Sequence, residues 1–270
     1  MITGSTRVYT ILAHPATHVT APGVYNHLFT RMGLDMVYIA HDISPGALAT
    51  TVASFSSWQN LGGFNVTIPH KEHVARLVNR LEGAARVIGA VNTVVRSADG
   101  TLRGFNTDGE GALGALGDVQ GAQCLVIGAG GAARAVVHAF LGAGTGAIAV
   151  LNRSEGNARR LCDLFPTRAV GLYSREPLDS FDIVVQATPL AEVIPFDLEP
   201  ERLKPSVRIL ETVMRPTAFA SKAREMGLEV IPGHAMLYHQ TRRNFEILTG
   251  CFLPEEILDD AFSIVGYRRP

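Results

Sequence analysis

Apolar and polar positions along the chain fall into two rhythms that alternate from end to end. Short runs rich in Val, Ile and Leu are separated by longer stretches with apolar residues three and four apart, so strands are expected to alternate with helices. The pattern predicts strands over 8–13, 36–39 and 63–68 and helices over 22–32 and 47–61, with helical spacing resuming at Lys71 into the eighties. The stretch GAVNTVVRSADGTLRGFNTD then reads as a hairpin turning at Asp99-Gly100, followed by a Gly- and Ala-rich helix over 109–116. From Gln123 the strands become continuous apolar runs: CLVIG, AIAVL, FDIVV, VRILE and LEVIP, with helical segments between them. That is a βαβ series, which implies a parallel sheet covered on both faces. Two helices, over 235–248 and 254–265, close the chain.

At 270 residues the chain exceeds what one core usually serves, so two α/β domains are expected. A net charge of −1 leaves no basic excess to hold a phosphate backbone, and a nucleic-acid partner is not expected. Glycines and charges interrupt the most apolar region, over 124–151, so no membrane association is expected either. Cys124, Cys162 and Cys251 lie far apart without metal or redox spacing, and no leader pattern opens the chain; the reading is cytoplasmic.

The turn Gly128-Ala129-Gly130-Gly131-Ala132-Ala133 fits G-x-G-x-x-A between a strand and a helix. In that motif the first glycine makes the turn, the second admits a pyrophosphate and the last small residue packs helix on strand. The phosphates sit on the helix N-terminus, where free N–H groups favour anions. The next strand ends at Leu151 and leads into Asn152-Arg153-Ser154 instead of the acid that usually holds a ribose. An arginine there suits the 2′-phosphate of NADP; NAD, or another nucleotide on a similar fold, stays open, as does a merely exposed Arg153.

The stretch NVTIPHKE carries the candidate chemistry. Asn65 and Thr67 share one strand face, at the end that faces ligands in open α/β sheets. Lys71 falls at a helix start, where the dipole disfavours an ammonium, so it is either a proton-exchanging group or a solvated surface lysine. Asp108 precedes a helical run and fits a simple N-cap as well as a catalytic carboxylate. Asn92 and Gln240 have equally plain readings as strand and helix residues. His70 and His73 have i,i+3 spacing but no supporting ligand pattern, so they read as helix-surface residues and no metal is expected.

Together, NVTIPHK, GAVNT, GFNTDG, IGAGGAAR, NRS and GHAMLYHQ resemble, in order, the motifs of the shikimate dehydrogenase family. The resemblance implies a substrate-binding/catalytic domain over 1–108, a Rossmann NADP domain over 109–235 with a cleft between them, and C-terminal helices over 236–270 returning to the first domain. It implies reversible hydride transfer to a cyclic polyol ketone such as 3-dehydroshikimate, in a monomer or homodimer of the shikimate pathway. Lys71 and Asp108 would be the catalytic pair. Thr67, Asn92, Asp108 and Gln240 would hold ring hydroxyls, with Asn65 supporting the loop. Gly128, Ala129, Gly130, Gly131, Ala132, Asn152, Arg153, Ser154, Thr188, Val213 and Gly233 would form the cofactor site.

Three departures stand out. The family's H-S-x-S-P motif, whose serines bind the substrate carboxylate with a later tyrosine, is here His18-Val19-Thr20-Ala21-Pro22, and the tyrosine position carries Met214. Thr20 turned inward, or Arg215, Arg242 and Arg243 as cations, are available to compensate, unless the arginines are solvated. Gln186 and Ala191 replace the usual Asn and Gly, and Asn157 stands where a second phosphate-binding arginine often appears, with Arg159 and Arg160 nearby. The alternatives are a quinate- or aminoshikimate-type paralogue, a non-catalytic ligand sensor on the same scaffold, and a folate dehydrogenase of similar architecture.

Overall fold

The computed structural model describes residues 2–174, 176–190 and 192–269. The chain divides into two compact units, Met1–Thr107 with Gln240–Pro270, and Asp108–His239.

The first unit carries β1 (Arg7–Ala13), α1 (Ala21–Arg31), β2 (Met36–Asp42), α2 (Leu48–Phe55), β3 (Leu61–Val66), α3 (Lys71–Ala75), β4 (Arg80–Leu81), α4 (Ala85–Ile88), β5 (Thr93–Arg96) and β6 (Leu102–Phe105). Its sheet runs β2-β1-β3-β5-β6-β4. The β1 strand pairs in parallel with β2 and β3, whereas β3, β5 and β6 are antiparallel neighbours. The expected hairpin is present, with Ser97 N–H donating to Thr101 O at 2.9 Å and Gly100 at φ 87° closing the loop. Leu12, Phe55, Phe64 and Val94 anchor the core.

Tertiary contacts overrule the periodicity at several points. The β2 strand runs to Asp42, beyond the expected 39, because it pairs with β1 along its whole length. The α2 helix stops at Phe55, well short of 61. The buried Arg96 guanidinium donates to its last carbonyls, Phe55 O at 3.1 Å and Ser56 O at 2.8 Å, which is the favourable sign at a helix C-terminus. The α3 helix ends at Ala75 because the following segment joins the sheet, with Asn79 N–H on Leu102 O and Glu82 N–H on Gly104 O. The β3 strand ends at Val66, two residues early, and is buried at every position, so it shows no alternation between faces.

The second unit carries α5 (Asp108–Leu116), β7 (Gln123–Ile127), α6 (Gly131–Gly142), β8 (Ala147–Leu151), α7 (Glu155–Leu164), β9 (Val170–Leu172), β10 (Ile183–Gln186), β11 (Arg208–Glu211), α8 (Ala218–Glu225) and β12 (Glu229–Ile231). All pairings are parallel, in the order β9-β8-β7-β10-β11-β12. In chain order that is 3-2-1-4-5-6, the doubly wound Rossmann arrangement, with its switch point between β7 and β10. Helix-covered cores line both faces, Val126, Val136 and Phe140 on one and Leu125, Val184, Ile209 and Phe219 on the other. The three-residue β9, Val170-Gly171-Leu172, is too short and too broken by its central glycine to register as a strand in the sequence.

Two helices complete the chain, α9 (Gly233–Thr249) and α10 (Glu255–Ile264). The division between units falls inside α9, and residues explain it. A Cβ on Gly114 of α5 would strike the His239 ring, whereas Leu248 lies so close to β3 that a Cβ on Gly63 would come within 2.8 Å of it. The Tyr9 hydroxyl donates to Leu248 O at 3.2 Å.

Candidate active site

In the first unit, three separately predicted residues converge at one end of the sheet. After β3 the chain passes Thr67, whose N–H donates to Leu12 O at 3.0 Å, and turns through Pro69 into α3. His70 is buried and its Nε2 bonds Ile43 O at 2.8 Å, which anchors the turn. Burial holds the His70 imidazole below its ordinary pKa. It is therefore an interior anchor and not the surface residue expected from sequence, whereas His73 is exposed. Lys71 opens α3, and its carbonyl accepts from Val91 N–H at 3.0 Å; Asn92 O accepts from Val66 N–H at 2.8 Å. These two backbone bonds set Thr67, Lys71 and Asn92 side by side.

A buried polar network supports this end. Asn65 is fully engaged inside the protein, donating to Asn92 O at 3.2 Å and Thr93 Oγ1 at 2.9 Å and accepting from the Tyr38 hydroxyl at 2.7 Å. The Asn92 carboxamide accepts from Thr107 N–H at 3.1 Å and donates to Thr107 Oγ1 at 2.9 Å. Both threonine hydroxyls lie 2.7 Å from Asn244 Oδ1 on α9, one turn after the buried Gln240. Asp108 follows Thr107 and is the first residue of α5, buried, so it lies past the N-cap place that sequence allowed for it. Thr20 occupies the N-cap place of α1, but its hydroxyl does not cap the helix.

In the second unit the glycine turn has the backbone that its motif requires. Gly128 sits at φ 117°, and a Cβ there would meet Ala187 O at 2.8 Å and Thr188 Cγ2 at 3.3 Å. That places Thr188 beside the turn at the switch point. Gly130 is the N-cap of α6, and a Cβ on it would meet nothing within 4 Å. A helix N-terminus with open space over its cap residue is what a pyrophosphate needs, so these residues fit the dinucleotide. Ala129 and Ala133 are buried against the sheet, which lets helix and strand approach closely. Gly131 and Ala132 supply the first turn of α6.

After β8, Asn152 closes its turn onto Ser154 O at 2.9 Å, and Ser154 caps α7 by accepting from Asn157 N–H. Arg153 is exposed between them. Arg159 pairs with Glu155 at 2.9 Å, and Arg160 donates to Asn157 Oδ1. Gly233 lies against the Val213 carbonyl so tightly that a Cβ would collide with it. Gln186, fully buried, holds the Thr188 loop by accepting from the Thr188 N–H at 2.8 Å and hydroxyl at 2.9 Å. The departure at Ala191 lies outside the described residues.

Glu211, at the end of β11, accepts from the Thr217 hydroxyl at 2.7 Å, and burial pushes its carboxyl up to about 7. Among the described residues, no group of His, Cys, Asp and Glu is arranged to hold a metal ion, and no helix is long and apolar enough to cross a membrane.

Residues 11–94 match the family model for the shikimate dehydrogenase substrate binding domain, and residues 110–208 match that for shikimate/quinate 5-dehydrogenase. The chain belongs to the shikimate dehydrogenase family. It is an NAD(P)-dependent oxidoreductase of the class acting on CH–OH groups. The NADP(+) shikimate dehydrogenase of Rubrobacter xylanophilus is 38% identical over 260 residues, covering 88% of this chain and 89% of that one. The crystal structure of shikimate dehydrogenase from Aquifex aeolicus matches with a TM-score of 0.87 and 31% identity, over 97% of this chain and 99% of that one. A 5-ketofructose reductase from a Gluconobacter strain matches with a TM-score of 0.81 and 26% identity, over 96% of this chain and 99% of that one.

Within this shikimate dehydrogenase family member, the sequence reading missed Thr93, Thr107 and Asn244 as a connected group. Asn244 contacts a residue 151 positions away, and mid-helix asparagine carries no signal of its own.

Proposed function

We propose that the chain reduces and reoxidises a ring ketone with NADP, with Lys71 as general acid and base and Asp108 as its partner. Bound at the glycine turn, the nicotinamide cofactor supplies or accepts the hydride. Lys71 delivers a proton to the carbonyl oxygen during reduction and takes it back during oxidation. Asn92, Thr67, Asp108 and Gln240 hold ring hydroxyls, Thr20 is the remaining hydroxyl at the altered carboxylate motif, and Asn65 holds the strand ends that present them. Arg153 selects the 2′-phosphate, supported by its exposure beside the Ser154 cap. The observation that carries this reading is the pair of backbone bonds, Val91 to Lys71 and Val66 to Asn92, that assemble the candidate residues from separate elements.

The substrate is 3-dehydroshikimate or a related cyclic polyol ketone, and the pocket that meets its carboxylate end departs from the family's pattern. Val19, Ala21 and Met214 offer no hydroxyl where the family binds one. The candidate cations have surface contacts: Arg215 lies 4.0 Å from Glu192, Arg242 covers the Phe252 ring at 5.5 Å and Arg243 faces Glu246 at 3.4 Å. Each lost hydrogen bond to a charged group is worth roughly 1.5–3 kcal/mol, so three would lower carboxylate affinity by orders of magnitude. A spectrophotometric screen of NADP and NAD against shikimate, quinate, aminoshikimate and inositols tests it. NADP-dependent oxidation of at least one cyclic polyol is expected, with shikimate a weak substrate; efficient turnover of shikimate would contradict the altered carboxylate pocket.

A further inference from the structure

We infer that Asn244 is a positioning residue that fixes the Asn92 carboxamide for ligand binding, acting through the hydroxyls of Thr93 and Thr107. This rests on the assignment of Asn92 to the ring hydroxyls. Proton counting carries the argument. The Thr107 hydroxyl accepts from Asn92 Nδ2 at 2.9 Å and has one proton of its own, with Asn244 Oδ1 at 2.7 Å and Asn92 Oδ1 at 3.4 Å as acceptors. The Thr93 hydroxyl accepts from Asn65 Nδ2 at 2.9 Å and has the same choice, Asn244 Oδ1 at 2.7 Å or Asn92 Oδ1 at 3.0 Å. In both cases the nearer acceptor is Asn244. It draws both hydroxyl protons to itself and leaves Asn92 Oδ1 to the Thr107 N–H at 3.1 Å, a donor that cannot rotate away.

The amide orientation of Asn92 is thereby determined, with its oxygen on a backbone donor and its nitrogen on a hydroxyl held as acceptor. Without Asn244, two buried hydroxyl protons compete for Asn92 Oδ1, and the carboxamide gains alternatives that a partly satisfied buried network permits. All five residues of the network are at most 6% exposed, so water does not readily replace the missing acceptor. Asn244 also reaches this network from α9, one turn from Gln240, so the same contact sets the register of a second candidate ligand-binding residue.

The test is steady-state kinetics of full-length Asn244→Ala on the best substrate from the screen, with NADPH affinity measured by fluorescence titration. KM is expected to rise about 10-fold with kcat changed less than about 3-fold and NADPH affinity unchanged. Thr107→Val, which removes the hydroxyl and keeps the shape, is expected to reproduce the KM effect, and Thr107→Ser to restore it. A folded Asn244→Ala enzyme with wild-type KM overturns the inference, even with a lowered Tm, since that is a purely structural outcome. If Asn244→Ala does not fold, equal KM values for Thr107→Val and Thr107→Ser overturn it. A wild-type protein without turnover on any polyol sinks the hydride-transfer reading, and this inference with it; active wild type with unchanged variants sinks the inference alone.

Discussion

Individual side chains in this protein show how burial sets chemistry. Glu211 is almost fully buried, and its carboxyl is pushed up from 4.5 to about 7 by desolvation, against the opposing hydrogen bond from Thr217. Below pH 4.5 the group is neutral in the folded and unfolded chains alike. Between 4.5 and about 7 the folded state keeps a proton that the unfolded chain has released, so stability falls as pH rises. Above that window the loss is complete, with an upper bound of roughly 3 kcal/mol. Glu211→Gln is therefore expected to raise Tm by several degrees at pH 8.5 and by little at pH 5. Equal shifts at the two pH values in calorimetry would contradict the assignment of burial as the cause. Lys71 teaches a different lesson. Its helix has only five residues, so the dipole contributes less than a long helix would, and its position rests on the Val91 bond to its carbonyl.

At the scale of elements, what was legible depended on how local the cause was. The β7–α6–β8 unit was readable because a continuous apolar run, a glycine turn and a small-residue helix signal their structure within thirty or so positions. The hairpin after Asn92 was readable for the same reason, since Asp99-Gly100 is a turn signal in itself. The ends of α2 and α3 were not, because Arg96 and the β4–β6 pairing come from elsewhere in the chain. Arg96→Met tests this directly. It removes a buried guanidinium from the Phe55, Ser56 and Ser97 carbonyls, leaving acceptors unpaired, and is expected to destabilise the protein by about 2–4 kcal/mol in urea unfolding. A change under about 0.5 kcal/mol would show that α2 ends for another reason.

Across the molecule, the sequence carried the reaction more clearly than the substrate. Hydride transfer needs a cofactor turn and one proton-exchanging group, and the candidates for both lie in contiguous stretches around Gly128 and Lys71. The candidate substrate residues are scattered over the chain, from Val19 and Ala21 to Met214 and Gln240, and the network ending at Asn244 is announced by no local pattern. The central claim is that Lys71 performs the proton transfer, and the most direct measurement is kcat for NADP-dependent oxidation of the preferred polyol by Lys71→Ala. NADPH affinity and Tm serve as controls for folding. The expected result is a fall of at least ~100-fold in kcat with both controls unchanged; a folded Lys71→Ala enzyme with wild-type turnover would contradict the account.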